Sequence, residues 1–215
     1  MPILPGDASR KTRALCELAP IIPVIVIEEV ETARPLAEAL IAGGLPVLEV
    51  TLRTDAALEA ISAMAGIDGG HVGAGTLLSP DDVLAAKEAG ATFGVSPGAT
   101  DALLRSCEDE GLPILPGAVT ASEAMTLLAR GYDMLKFFPA ETSGGAAALR
   151  ALGGPLPQIS FCPTGGITAE NAPDYLALDN VLCAGGSWVV PPALVRARAW
   201  DEIEALARAA SSLRR

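Results

Sequence analysis

Eight short apolar runs, most of them rich in β-branched residues, recur along this chain, each followed by residues with helical spacing. That alternation constrains the fold more than anything else in the sequence. The runs fall at residues 21–27, 47–52, 71–76, 92–96, 114–116, 134–138, 159–162 and 181–184. The first is nearly continuous in apolar residues, as expected of a strand buried on both faces, and such strands belong to parallel sheets. Helical periodicity covers residues 30–42, 56–64, 80–89, 101–110, 121–129, 145–152, 169–176 and 200–213. A further N-terminal helix is expected over residues 7–18, apolar at Leu15 and Leu18 and stopped by Pro20. Eight βα units in 215 residues leave no room for a second domain. The expected fold is therefore α/β: one (β/α)8 TIM barrel spanning residues 1–215, with an extra N-terminal helix. An open doubly wound sheet would carry a glycine-rich turn after its first strand, and Glu28-Glu29-Val30-Glu31 contains no glycine.

Charge narrows the partners. Fifteen Lys and Arg stand against 26 Asp and Glu, a net charge of −11, which argues against nucleic acid because that ligand demands clustered cations. Any anionic substrate must then be met by local positive potential, from Arg, Lys or exposed backbone N–H groups. Cys16, Cys107, Cys162 and Cys183 form no C-x-x-C pair and have only His71 to join them, so neither metal nor a disulfide framework is expected. No run reaches the roughly 18 apolar residues of a membrane span, and no secretory leader opens the chain. A cytoplasmic protein without membrane contact is expected.

In a barrel, chemistry gathers at the C-terminal ends of the strands. The two-residue period of the second run puts Glu49, Thr51 and Arg53 on one face, opposite Leu48, Val50 and Leu52. The apolar set must meet the helices, so the polar set points inward, either for chemistry or as a Glu49 to Arg53 ion pair. Lys136 shares the inward face of its run with Met134 and Phe138. An amine among apolar neighbours favours its neutral, nucleophilic form, which Schiff-base chemistry requires, although a stem reaching to water is the plainer reading. Thr76 ends the third run, and Ser96-Pro97-Gly98 and Pro116-Gly117 close the fourth and fifth. Thr164-Gly165-Gly166 and Gly185-Gly186-Ser187 follow the seventh and eighth, where this fold recurrently binds phosphate; each alone is equally an ordinary turn. His71 starts its strand at the far end and is given no catalytic role. Glu141 reads as solvated rim charge.

Six motifs, in order, carry a resemblance. They are Leu48-Glu49-Val50-Thr51-Leu52-Arg53-Thr54, Gly73-Ala74-Gly75-Thr76, Ser96-Pro97-Gly98, Lys136-Phe137-Phe138-Pro139-Ala140-Glu141, Cys162-Pro163-Thr164-Gly165-Gly166-Ile167 and Gly185-Gly186-Ser187-Trp188. From about residue 20 to 191 the chain resembles the 2-dehydro-3-deoxy-phosphogluconate (KDPG) aldolase / 4-hydroxy-2-oxoglutarate aldolase family of class I aldolases. The resemblance implies a homotrimer of barrels without metal or coenzyme, acting on a phosphorylated 2-keto acid in carbohydrate metabolism, the Entner–Doudoroff pathway. It makes Lys136 the Schiff-base lysine and Glu49 the proton shuttle, with Arg53 and Thr76 on the pyruvate side. For the implied reaction Thr164, between the two ends of the substrate, is the candidate for the aldehyde half, and Gly165, Gly166 and Ser187 are the candidates for the distal phosphate, with Pro97, Phe138 and Gly186 also counted as substrate-binding. The implied reaction releases pyruvate and glyceraldehyde 3-phosphate, or pyruvate and glyoxylate from 4-hydroxy-2-oxoglutarate. Three rivals stay open: an aldolase for the galactonate epimer, a phosphosugar isomerase or epimerase barrel without a Schiff base, and a non-catalytic binder of phosphate ligands.

Overall fold

The computed structural model describes residues 1–213. The chain opens with α1 (Pro5–Cys16), then β1 (Ile21–Ile25), α2 (Ala33–Ala42), β2 (Val47–Thr51), α3 (Ala57–Met64), β3 (His71–Gly75) and α4 (Pro80–Glu88). It continues with β4 (Phe93–Val95), α5 (Asp101–Glu110), β5 (Ile114–Leu115), β6 (Gly117–Ala118), α6 (Ala121–Arg130), β7 (Met134–Phe137) and α7 (Gly145–Gly153). Last come β8 (Ser160–Pro163), α8 (Ala172–Leu176), β9 (Ala184–Gly186), α9 (Pro192–Arg196) and α10 (Trp200–Ser211). All the strand pairings are parallel, as expected of an α/β chain, and form a sheet ordered β5-β4-β3-β2-β1-β9 and a second ordered β6-β7-β8.

Two sheets replace the single eight-stranded ring. The expected fifth strand is divided at Pro116, which has no N–H to offer a ladder. Its carbonyl instead accepts from Lys136 N at 2.8 Å. The other junction is carried by single bridges, Phe161 to Val181 and Thr164 to Gly185. The eighth strand lies at Ala184–Gly186 rather than 181–184, because its pairing with Ile21, Ile22 and Pro23 sets its position. Backbone pairing, not side-chain pattern, defines a strand of small residues.

The inward and outward faces separate as their spacing requires. Val47, Phe93, Val95, Leu115, Met134 and Cys162 pack together on one side of the strands. Leu48, Val50, Leu135, Phe137 and Phe161 pack with helical residues such as Leu36, Leu40 and Ile61 on the other. The helices start where their caps allow: Ser79 and Thr120 each close a reciprocal capping box ahead of α4 and α6.

The N-terminal helix departs in part from expectation. It begins at Pro5, whose fixed φ suits a first helical position, and its buried residues are Ala8, Ser9, Thr12 and Cys16, with Leu15 half-buried against the core as expected and Leu18 beyond the helix end. Leu18 is half exposed. The burial of Ser9 has a polar cause: Ser9 Oγ donates to Asp133 Oδ1 at 2.7 Å and accepts the N–H groups of Asp133 and Met134, each at 3.0 Å. The helix thus covers the start of β7, the strand that carries Lys136. No described helix is long and apolar enough to cross a membrane.

Candidate active site

Lys136 and Glu49 reach each other from strands on the two different sheets, β7 and β2. Lys136 Nζ lies 3.0 Å from Glu49 Oε1, with the two side chains only 6% and 4% exposed. The amine does not run to solvent, and Glu49 pairs with it rather than with Arg53. Inward parity on each strand produces this meeting, since Val47 precedes Glu49 and Met134 precedes Lys136 on the same buried face. The room for it comes from β3: a β-carbon on Gly75 would stand 2.4 Å from Glu49 Oε1 and 2.7 Å from its Cγ. Phe138 caps the pair, its ring centre 5.4 Å from Nζ. A buried amine with a single carboxylate partner can exchange a proton with it and then attack a carbonyl.

Phe138 also borders a cavity of about 310 Å3, lined as well by Arg53, Thr164, Gly165, Gly166, Gly185 and Ser187 together with apolar residues; Lys136, Glu49 and Thr76 are not part of its wall. Arg53 is exposed, and its Nε donates to Thr76 Oγ1 at 3.4 Å. Thr76 holds φ at 64°, a left-handed conformation costly for a β-branched residue, and such strain collects at functional positions. Thr51 shares the inward face but donates its hydroxyl to Ile25 O at 3.0 Å. Thr164 lines the cavity, and its Oγ1 is buried beside Gly185 without a hydrogen-bond partner among the described residues. Gly165 and Gly166 follow at φ 101° and 78°, a conformation only glycine adopts freely.

The comparisons with known proteins agree with one another. Residues 12–206 match the family model described as "KDPG and KHG aldolase". The 2-dehydro-3-deoxy-phosphogluconate aldolase of Pseudomonas aeruginosa is 50% identical over 198 residues, 91% of this chain and 90% of that protein. The chain belongs to the KDPG and KHG aldolase family. Among solved structures, the Zymomonas mobilis ZM4 KDPG aldolase with 3-phosphoglycerate superposes with a TM-score of 0.90 at 47% identity, covering 96% of this chain and 98% of that one. The Legionella pneumophila KDPG aldolase, with pyruvate captured as a covalent carbinolamine, also gives 0.90 at 46% identity, covering 93% and 98%. The chain is a lyase, a class I aldolase working through a Schiff base.

The structure does not bring every expected residue of this aldolase to the cavity wall. Pro97 is half-buried outside it, its carbonyl packed against Gly117, where a β-carbon would come within 2.2 Å. Gly186 is a steric seat for Trp188, whose ring would lie 1.8 Å from a β-carbon there. Conversely, Val24, Val26, Pro192 and Val195 line the cavity. Val24 lies in β1 and Val26 just after it, in a run nearly continuous in apolar residues, and Pro192 and Val195 belong to α9, a five-residue helix too short to show a period. His71 is exposed at the start of β3. Glu141, expected to be free rim charge, accepts a hydrogen bond from Tyr175. Three cysteines distant in sequence also converge, with Cys183 held well above the usual thiol range by contacts with Cys16 and Cys162 and by burial.

Proposed function

We propose that this aldolase cleaves 2-dehydro-3-deoxy-6-phosphogluconate to pyruvate and glyceraldehyde 3-phosphate, and 4-hydroxy-2-oxoglutarate to pyruvate and glyoxylate. The observation that carries the reading is the buried 3.0 Å contact between Lys136 Nζ and Glu49 Oε1. In this reading Glu49 takes a proton from the ammonium, and the freed amine attacks the C2 carbonyl of the keto acid. Glu49 returns that proton to the carbinolamine hydroxyl, which leaves as water to give an iminium and the carboxylate once more. Glu49 then accepts the C4 hydroxyl proton as the C3–C4 bond breaks, and the electron pair passes into the iminium to leave an enamine. Protonation at C3 and hydrolysis release pyruvate and restore the amine.

Arg53 offers a two-pronged donor to the keto-acid carboxylate, and its 3.4 Å contact with Thr76 Oγ1 supports both as pyruvate-side residues. The unpartnered Thr164 hydroxyl suits the aldehyde half, and the backbone of Gly165, Gly166 and Ser187 suits the phosphate. Phe138 walls the amine. Pro97 and Gly186 act by supporting neighbouring loops. The single-residue gap at Pro116 and the bridge from Thr164 to Gly185 support one closed eight-stranded barrel as a single domain. From the family we further infer a cytoplasmic homotrimer needing neither metal nor coenzyme.

A coupled assay for pyruvate tests the substrate directly, with the gluconate and galactonate epimers and the shorter unphosphorylated acid offered separately. Release from the gluconate epimer with the highest kcat/KM is expected. Preference for the galactonate epimer, or no pyruvate from any of them, overturns the assignment.

A further inference from the structure

The two glycines that follow Thr164 have their carbonyls engaged but not their N–H groups, whereas Thr168 N, further along the loop, donates to Asn171 Oδ1 at 2.8 Å. Ala140 N donates to Thr164 O at 2.8 Å, Glu141 N to Gly165 O at 3.1 Å, and Asn171 Nδ2 to Gly166 O at 2.9 Å. Neither Gly165 nor Gly166 donates its own N–H to an acceptor among the described residues. Two consecutive glycines at positive φ have many alternative conformations, so something outside them must fix the turn.

Glu141 is placed to do so. Its backbone N–H grips Gly165, and its stem lies across Gly166, where a β-carbon would come 2.6 Å from Cγ and 2.7 Å from Cβ. Its carboxylate is fixed in turn by the hydroxyl of Tyr175 on α8. Tyr175 is 1% exposed, and burial followed by the bond to Glu141 keeps its phenol protonated far above the ordinary range. Gly145 packs beside the pair, a β-carbon there falling in ordinary contact, 3.4 Å from the phenol oxygen and 3.7 Å from Glu141 Oε1.

We propose that Glu141 and Tyr175 are positioning residues for the distal phosphate: together they brace the Gly165-Gly166 turn so that its N–H groups face the phosphate before substrate arrives. The inference rests on the reading of that turn as the phosphate site. It makes affinity for the phosphorylated end separable from chemistry at the Schiff base, because neither residue touches the reacting atoms.

The test compares KM and kcat for the 6-phosphorylated substrate and for 4-hydroxy-2-oxoglutarate in Tyr175→Phe, Glu141→Ala and Glu141→Gln. In the first two, KM for the phosphorylated acid rises about tenfold, the scale of one charge-assisted hydrogen bond. Their kcat, and both constants for the unphosphorylated acid, stay within about twofold of wild type, a spread well inside one hydrogen bond. Glu141→Gln keeps an acceptor for Tyr175 and the same stem over Gly166, so its KM stays at or below that of wild type. Equal losses on both substrates, or no loss on either, overturn the brace. Glu141 is exposed, so its variants report even where Tyr175→Phe folds poorly. Inorganic phosphate as a competitor separates the two layers of argument. If it fails to compete with the phosphorylated substrate in the wild-type enzyme, the phosphate site itself is misplaced; if it competes equally in wild type and Tyr175→Phe, only the brace fails.

Discussion

Adding one methyl group at Gly75 should disable the enzyme although neither catalytic residue is substituted. A β-carbon there would lie 2.4 Å from Glu49 Oε1, 2.7 Å from Cγ and 2.9 Å from Cδ. Carbon contacts settle at about 3.5 Å or more, so the carboxylate must retreat by about 1 Å. Glu49 is only 4% exposed and has little free space to retreat into. The 3.0 Å contact with Lys136 then stretches beyond hydrogen-bonding reach. Misplacement by about 1 Å costs on the order of 100-fold in rate, and the crowding itself costs about 1–3 kcal/mol of stability. Gly75→Ala should therefore lower kcat about 100-fold in the pyruvate assay and shift the denaturation midpoint modestly. Glu49→Gln should lose about 100- to 10,000-fold, and adding Gly75→Ala to it should change little further, since both act through the same carboxylate. Wild-type kcat in Gly75→Ala, or fully additive losses in the double variant, would refute the placement of Glu49 as proton carrier.

Stability offers two further tests. Burial, reinforced by the Glu108 charge, pushes the Cys107 thiol up from 9.0 to about 12. The unfolded thiol ionises first, so the stability it contributes is complete below pH 9 and is lost as pH rises toward 12. The slope is about 1.4 kcal/mol per pH unit, and urea denaturation of Cys107→Val across this range should show it flattened; an unchanged slope would contradict the account. Lys136→Met leaves Glu49 buried and unpaired and should cost about 3–5 kcal/mol, whereas Glu49→Leu with Lys136→Met should recover most of that. Denaturant midpoints decide, and a double variant no more stable than the single one would show that the pair is not the source of the cost.

The parts of the fold and site that side-chain period controls were legible in the sequence. Glu49 and Lys136 each sit one alternation from an inward apolar residue, Val47 and Met134, so their common destination follows from strand geometry alone. Where backbone pairing decides, the sequence says less. Pro116 divides a strand that its neighbours continue, and Ala184–Gly186 is a strand only because β1 lies beside it. On α1 the sequence shows Leu15 facing inward but not Ser9, which is buried by its three hydrogen bonds to Asp133 and Met134, a demand invisible before β7 is in place. The contact of Glu141 with Tyr175 spans 34 residues and two loops, and no local pattern announces it.

The chain holds only three lysines, Lys11, Lys87 and Lys136, which makes the central claim open to a single mass measurement. Pyruvate is added with borohydride, the protein is digested, and the reduced adduct is assigned to a peptide. One adduct per chain on Lys136, suppressed in Glu49→Gln, is the expected result. An adduct on Lys11 or Lys87 in its place, or none at all, would contradict it.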